Sequence, residues 1–169
     1  MKRAVELVDE VISVWRSTPE ILIIDDDPGV LMLLRDALGR IGCNLTLAES
    51  GELGLAYFAR NCHSETRRRC LHPFDMVFLD LKLPGASGPV ILRAIKQLDP
   101  SQPVAIITGH ASSFDLVELA AIGYIGFVRK PFTLDGLEDA LLAHNLKLGP
   151  WRRDVKPGHS SLTPHHAAA

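Results

Sequence analysis

The feature that most constrains the fold is an alternation between short apolar runs and longer stretches with helical periodicity. Five apolar runs predict buried β-strands, at 21–24, 44–48, 74–79, 104–107 and 124–128. Short apolar strands that alternate with helices are typical of a parallel sheet covered on both faces. The sequence therefore predicts a doubly wound, five-stranded α/β fold with right-handed crossovers.

Amphipathic helices are predicted after each strand, where apolar residues recur three and four positions apart. They cover 28–41, 53–60, 89–98, 114–121 and 133–145. Ser50 and Thr133 are candidate N-caps for two of them. We expect the folded domain at 20–147, after an N-terminal segment at 1–19. A tail at 148–169, rich in Pro, Gly, Ser and His, is expected to be flexible.

The N-terminal segment has its own helical pattern. Its apolar residues follow a helical stripe: Ala4, Val5, Val8, Val11, Ile12 and Trp15. We expect an extra N-terminal helix whose apolar stripe packs against another apolar surface. It either packs on the main domain or serves as a docking or dimerising helix, and both interpretations stay open. The choice between monomer and dimer stays open with them.

Charge and composition exclude several functional classes. The chain has 169 residues and a formal net charge of −2, so we expect neither nucleic acid nor an anionic membrane as a partner. No apolar run is long enough to cross a bilayer, and acids at 6, 9 and 10 argue against a signal peptide. Three cysteines do not make a disulfide framework, so the expected location is the cytoplasm.

Polar side chains follow four of the predicted strands. An acidic run at 25–27 follows the first strand, Asp80 the third, Thr108 the fourth and Lys130 the fifth. In open parallel α/β sheets, ligands bind beyond the carboxyl ends of the strands, which share one edge. We therefore expect these side chains to converge on one site.

Such a cluster suits phosphoryl chemistry with a divalent cation. Carboxylates packed together repel one another unless a cation joins them. Mg²⁺, with Mn²⁺ as an alternative, prefers oxygen ligands and combines one or two carboxylates with waters and a phosphate oxygen. Lys130 adds a positive charge and Thr108 a hydroxyl for phosphoryl oxygens. Asp80 is then the candidate nucleophile toward phosphorus.

Taken together, four motifs resemble the receiver domain of two-component response regulators, of the chemotaxis-Y-like kind. They are IIDDDP at 23–28, FLDLKLPGASG at 78–88, IITG at 106–109 and FVRKPF at 127–132. Each motif is weak alone, but four in the right order at strand ends are specific. The resemblance covers about residues 20–145 and implies a flavodoxin-like sheet with strand order 2-1-3-4-5.

The resemblance implies roles for the acidic residues. Asp80 matches the phosphoacceptor, and Asp25 and Asp26 match the acidic pair that binds Mg²⁺, with Asp26 favoured as a direct ligand. The backbone carbonyl of Lys82 matches the position that completes the coordination. Asp27 is expected to face solvent or to cap a helix.

The resemblance also implies a switch. Thr108 and Lys130 match the hydroxyl and amine that contact the phosphoryl group, and the peptide bond after Lys130 is expected to be cis. Phe127 matches the aromatic residue that turns inward when the threonine moves. The side chain of Lys82 and His110 are expected to tune how long the phosphoryl group survives.

The segment at 61–72 does not fit a minimal receiver. It carries four residues of types that bind zinc: Cys62, His63, Cys70 and His72. Their spacing is not a recurrent zinc pattern, so a polar loop is the favoured interpretation. Arginines at 67–69 steer an acidic partner or form a solvated surface.

We therefore expect a stand-alone receiver rather than an enzyme. Its phosphoryl donor would be a sensor histidine kinase or a histidine phosphotransfer protein. Its output would be contact with a downstream protein, or onward phosphotransfer in a relay. Two alternatives remain. A Mg²⁺-dependent phosphatase with an aspartyl nucleophile usually has a second acid two residues later, where this chain has Lys82. A receiver-like scaffold would bind its partners without phosphorylation.

Overall fold

The computed structural model describes residues 18–40, 42–62, 73–109 and 116–142. Five strands form one sheet: β1 (Glu20–Ile24), β2 (Asn44–Ala48), β3 (Met76–Leu79), β4 (Val104–Thr108) and β5 (Gly126–Arg129). The strands are parallel and lie in the order β2-β1-β3-β4-β5. This confirms the predicted doubly wound fold and its strand order.

A helix follows each strand and packs on one face of the sheet. The helices are α1 (Pro28–Arg40), α2 (Gly51–Cys62), α3 (Gly88–Leu98), α4 (Leu116–Ile122) and α5 (Leu134–Leu142). The hydroxyl of Ser50 accepts from the N–H of Leu53 at 3.2 Å, and that of Thr133 from the N–H of Gly136 at 3.2 Å. Both candidate N-caps are therefore confirmed.

Two strands begin two residues later than the sequence predicts. At Phe74, the backbone bonds to the buried side chain of Gln102 instead of a neighbouring strand. Gln102 donates to the Phe74 carbonyl at 2.8 Å and accepts from the Phe74 N–H at 3.3 Å. β5 begins at Gly126, opposite Ala105, although the preceding Ile125 N–H already donates to the Val104 carbonyl at 2.9 Å.

The sheet separates two apolar cores. Because alternate residues of a strand point to opposite faces, β1 contributes to both cores. Ile21 and Ile23 pack with residues of α1 and α5, whereas Leu22 and Ile24 pack with residues of α2, α3 and α4. All four are almost fully buried. The sheet is therefore held from both sides, as its continuous apolar strands require.

Helix α2 lies very close to its neighbours. A Cβ atom added at Gly54 would lie 2.4 Å from Cδ1 of Ile24 in β1. One added at Gly51 would lie 2.6 Å from Cδ1 of Ile91 in α3. Glycine at both positions lets the backbone of α2 approach the sheet and α3 more closely than any larger residue would allow.

Three predicted features lie outside the described residues: the N-terminal helix, residues 63–72 of the loop predicted at 61–72, and the tail at 148–169. Residues 61 and 62 of that predicted loop belong to α2. Within the described ranges, none of the helices combines the length and the apolar character that crossing a membrane requires.

Candidate functional site

The site begins with two acids at the ends of adjacent strands. Asp25 follows β1 and Asp80 follows β3. Their backbones remain hydrogen-bonded to the sheet, because the Asp25 N–H donates to the Ala48 carbonyl at 3.0 Å and the Asp80 N–H to the Ile24 carbonyl at 2.9 Å. Strand pairing thus holds both carboxylates side by side at the same edge.

Both carboxylates are almost removed from solvent, and a third lies beside them. Asp25 is 1% exposed and Asp80 is 6% exposed, whereas Asp26 is exposed. Each of the three offers a carboxylate oxygen within 4.8 Å of the others. The N–H of Asp27 donates to Asp25 at 3.1 Å, and that of Lys82 donates to Asp80 at 3.1 Å. Burying such a cluster is costly unless positive charge compensates it.

Lys130 supplies that charge from the end of β5. Its Nζ lies 2.6 Å from Oδ2 of Asp25 and 2.6 Å from Oδ2 of Asp80. The Lys130 N–H donates to the Thr108 carbonyl at 3.1 Å, which fixes the base of the side chain against β4. The peptide bond between Lys130 and Pro131 is cis, as the resemblance implied.

The ionisation of Asp25 and Lys130 reflects opposing effects. Burial raises the pKa of the Asp25 carboxyl, and the Lys130 ammonium and the Asp27 N–H only partly oppose it. Burial by itself lowers the pKa of the Lys130 amine, but its hydrogen bonds and ion pairs with Asp25 and Asp80 raise it further, so the net shift is upward. Lys130 therefore stays charged over the physiological range.

The donor set fits a hard divalent cation. Asp25, Asp26 and Asp80 offer only oxygen ligands, and one of the three carboxylates faces solvent, which leaves room for water ligands. Mg²⁺ prefers this combination of few carboxylates and several waters. The side chain of Lys82 is exposed beside the cluster.

Asp27 has a separate role at the start of α1. Its Oδ1 accepts from the N–H groups of Gly29 at 2.7 Å and Val30 at 3.3 Å. An aspartate that accepts from the first free N–H groups of a helix is an N-cap. The predicted capping role is therefore confirmed.

Thr108 and Phe127, to which the resemblance assigns a switch, lie on the neighbouring strands β4 and β5. Thr108 is fully buried at the end of β4, the strand beside β3. Phe127 in β5 is half-buried and pairs with Ile106 in register. Its ring lies edge-on to that of Tyr124, with centroids 6.2 Å apart. His110 lies outside the described residues.

The loop between β3 and α3 is held in two places. The Gly88 N–H, at the first residue of α3, donates to the Leu81 carbonyl at 3.0 Å and so joins the two ends of the loop. Near the end of the loop, Oε1 of Glu52 in α2 accepts from the Ala86 N–H at 3.1 Å. The sequence interpretation missed Glu52, whose only signal is an acid in the first turn of a helix.

Gly88 is expected to be intolerant of a side chain. A Cβ atom there would lie 2.4 Å from Cα of Leu81 and 2.7 Å from the carbonyl oxygen of Asp80, both in the backbone at the start of this loop. We expect Gly88→Ala to lower the free energy of unfolding by about 1–3 kcal/mol, because backbone cannot move aside as a side-chain tip can.

Urea denaturation of Gly88→Ala can be compared with that of Gly39→Ala. Gly39 lies in α1 with nothing within 4 Å of an added Cβ atom. The control should gain about 0.5–1 kcal/mol, since alanine is the better helix former. Equal effects at the two positions would contradict the proposed crowding at Gly88.

Comparison with known proteins identifies the family. The family model described as "Response regulator receiver domain" matches residues 21–142. The chain belongs to this family. Receiver domains are phosphoacceptor signalling domains of two-component systems. The predicted domain limits of 20–147 extend slightly beyond this match and stay a prediction.

Solved structures and curated relatives agree with this assignment. A response regulator receiver domain protein from Clostridium thermocellum is 34% identical, with a TM-score of 0.65, covering 75% of this chain and 94% of that one. A CheY-like receiver domain protein from Methanospirillum hungatei is 26% identical, with a TM-score of 0.64, covering 76% and 95%. The transcriptional regulatory protein GlrR of Escherichia coli is 33% identical over 121 residues, 72% of this chain.

The curated relatives are much longer than the matched receiver. The match spans 25% of the length of GlrR. The names of such relatives refer to transcription, which conflicts mildly with the expectation of no nucleic-acid partner. That expectation was drawn from the charge of this chain, so it concerns this chain alone. A stand-alone receiver likewise stays a prediction.

Proposed function

We propose that this receiver accepts a phosphoryl group on Asp80 from a phosphohistidine of a sensor histidine kinase or a histidine phosphotransfer protein. One observation carries the proposal: Asp80 is buried, its carboxylate lies 2.6 Å from the Lys130 ammonium, and two further carboxylates adjoin it. A nucleophile, a fixed positive charge and a cation site are thereby brought to one point.

In the proposed transfer, a carboxylate oxygen of Asp80 attacks phosphorus as the phosphorus–nitrogen bond of the donor breaks. The bonding electrons leave with the imidazole nitrogen, and Asp80 becomes an acyl phosphate. Lys130 stabilises the negative charge on the phosphoryl oxygens, and the Thr108 hydroxyl donates a hydrogen bond to one of them.

The cation would be held by Asp25, Asp26, Asp80 and the Lys82 carbonyl. Mg²⁺, or Mn²⁺ in its place, would neutralise charge that develops on the phosphoryl oxygens. Asp25 and Asp80 already share one Lys130, so a cation adds positive charge where three carboxylates meet. This need for extra charge supports a metal-dependent transfer.

We propose that the output is a changed protein-binding surface near β4, β5 and α4. The buried Thr108 and half-buried Phe127 lie on adjacent strands, so movement of the threonine toward a phosphoryl group frees space that the ring can fill. Charge at one edge is thus converted into a change of shape that a downstream protein binds.

The direct test is Mg²⁺-dependent phosphorylation of the purified protein by acetyl phosphate. Intact-mass spectrometry should show the gain of one phosphoryl group with Mg²⁺ and none with a chelator. If the protein gains no phosphoryl group and its spectra do not change on addition of beryllofluoride and Mg²⁺, the scaffold alternative is favoured. Steady hydrolysis of a phosphomonoester would favour the phosphatase.

A further inference from the structure

The two faces of the sheet carry different numbers of helices among the described residues. Helices α2, α3 and α4 pack on one face, whereas α1 and α5 pack on the other. The outer surfaces of α1 and α5 bound a groove of about 300 Å³, lined by Leu33, Asp36, Ala37, Arg40, Phe132 and Leu137. Four of the six lining residues are apolar, with two charged residues from α1 beside them.

The α1 side of this groove exposes a large apolar side chain. Leu33 lines the groove and is 56% exposed, whereas Leu34 on the inner face of α1 is fully buried. Met32, next to Leu33 in the chain but outside the groove lining, is 49% exposed. Removing such side chains from water is favourable, so this outer face of α1 is a suitable surface for an apolar stripe.

The chain leading into β1 passes the end of this groove. The carbonyl of Pro19 accepts from the N–H of Asn44 at 2.8 Å, and the N–H of Cys43 donates to the Leu38 carbonyl in the last turn of α1. Arg40, which lines the groove, is therefore only a few residues from the point where residue 19 joins the sheet. The chain before residue 18 therefore joins the domain near the C-terminal end of α1.

We propose that residues 4–15 form a helix that packs into the groove between α1 and α5 of the same chain. Twelve residues make a helix of about 18 Å, close to the roughly 20 Å of the 13-residue α1. Helix α1 ends at residue 40, and the proposed helix would end just before residue 18, at the same end of the domain. The two helices therefore run parallel. The three residues between 15 and 19 suffice for the turn into β1.

The charge pattern of the segment agrees with this placement. Its apolar stripe, from Ala4 to Trp15, lies on one helical face, and Glu6 and Glu10 lie nearly opposite that stripe. In the groove, the stripe would contact Leu33 and Phe132 while both acids remain in water. The stripe that the proposed phosphotransfer does not use thereby covers apolar surface that α1 leaves exposed.

Trp15 offers a direct readout of docking. The chain has two tryptophans, Trp15 and Trp151, so full-length Trp151→Phe reports on Trp15 alone. We expect acrylamide to quench Trp15 weakly in this background. Leu33→Asp should shift the docked-to-undocked ratio by about tenfold and make the quenching markedly stronger. Val117→Asp is the matched control, because Val117 is 78% exposed on α4, on the opposite face.

A second substitution tests the contact itself. Val8→Asp in the segment should raise the quenching of Trp15 as Leu33→Asp does, and the double variant should add little to either single change. Additive effects, or a Trp15 quenched as freely as a model tryptophan amide in the starting protein, would overturn the proposal. Sedimentation velocity completes the test. If the protein sediments as a dimer and the protection of Trp15 from quenching is lost when the dimer dissociates on dilution, the groove is occupied by a second copy instead.

Circular dichroism shows whether each variant remains folded. Leu33 is mostly exposed, so its substitution is not expected to unfold the domain. None of these measurements involves phosphorylation, so their outcome is independent of the proposed chemistry at Asp80.

Discussion

An Asp80→Asn variant is expected to gain no phosphoryl group under conditions that phosphorylate the wild type. The amide is nearly the same size as the carboxylate but lacks the anionic oxygen that attacks phosphorus. Lys130 keeps its ion pair with Asp25, at 2.6 Å in the wild type, so the site should remain assembled. Intact-mass spectrometry after incubation with acetyl phosphate and Mg²⁺ should show labelling reduced to background.

Asp27→Asn is the matched control for this result. Asp27 is exposed, and its side chain caps α1, a role that asparagine performs about as well. The control should therefore be labelled as fully as the wild type. Residual labelling of Asp80→Asn at wild-type level, with a phosphopeptide mapped elsewhere, would show that Asp80 is not the acceptor.

A Lys130→Met variant is expected to lose about 3 kcal/mol of unfolding free energy near neutral pH. Methionine fills a similar volume but leaves two buried carboxylates, Asp25 and Asp80, without the ammonium that contacts both. Removing one partner of a buried ion pair is costly because the remaining charge stays desolvated. Here one lysine serves two acids, so both are affected at once.

The loss in Lys130→Met should depend on pH and on Mg²⁺. The pKa of Asp25 is already raised by burial, and without Lys130 it rises further. A raised folded-state pKa means that stability is present at low pH and lost as the pH rises through that value. The variant should therefore regain stability as the pH is lowered from neutral, and the proposed cation site predicts a further gain on addition of Mg²⁺.

Urea denaturation at several pH values can separate this effect from a general loss of charge. Arg129→Met is the control, since Arg129 is the exposed neighbour of Lys130 on β5. Its difference in stability from the wild type should be small at every pH, as exposed charges contribute weakly. A loss in Lys130→Met that is the same at every pH would show that packing, not charge, is what Lys130 contributes.

Sequence reasoning predicted the sheet and much of the site because both depend on local patterns. Buried parallel strands must be apolar throughout, so a short apolar run such as the one ending at Ile24 can be recognised as a strand from the sequence. The residue after each strand then falls at a common edge. Asp25, Asp80 and Lys130 could therefore be grouped before any distance was known.

Contacts between residues distant in sequence could not be predicted in this way. Nothing in the sequence near Lys130 indicates that its amine lies 2.6 Å from carboxylate oxygens of both Asp25 and Asp80. Gln102 bonds to the Phe74 backbone and shortens β3, and Glu52 holds the loop between β3 and α3. Nothing in the sequence distinguishes these two residues from other polar residues. Their roles depend on tertiary proximity.

The glycines of α2 have a mechanical consequence. Gly54 packs against Ile24 and Gly51 against Ile91 so closely that no side chain would fit between them. The contacts of α2 with β1 and α3 are therefore tightly packed. Phe127, on β5 at the other edge of the sheet, is only half-buried. In the proposed switch, a phosphoryl group on Asp80 would therefore find close packing on the side of α2 and a partly exposed ring on the side of β5.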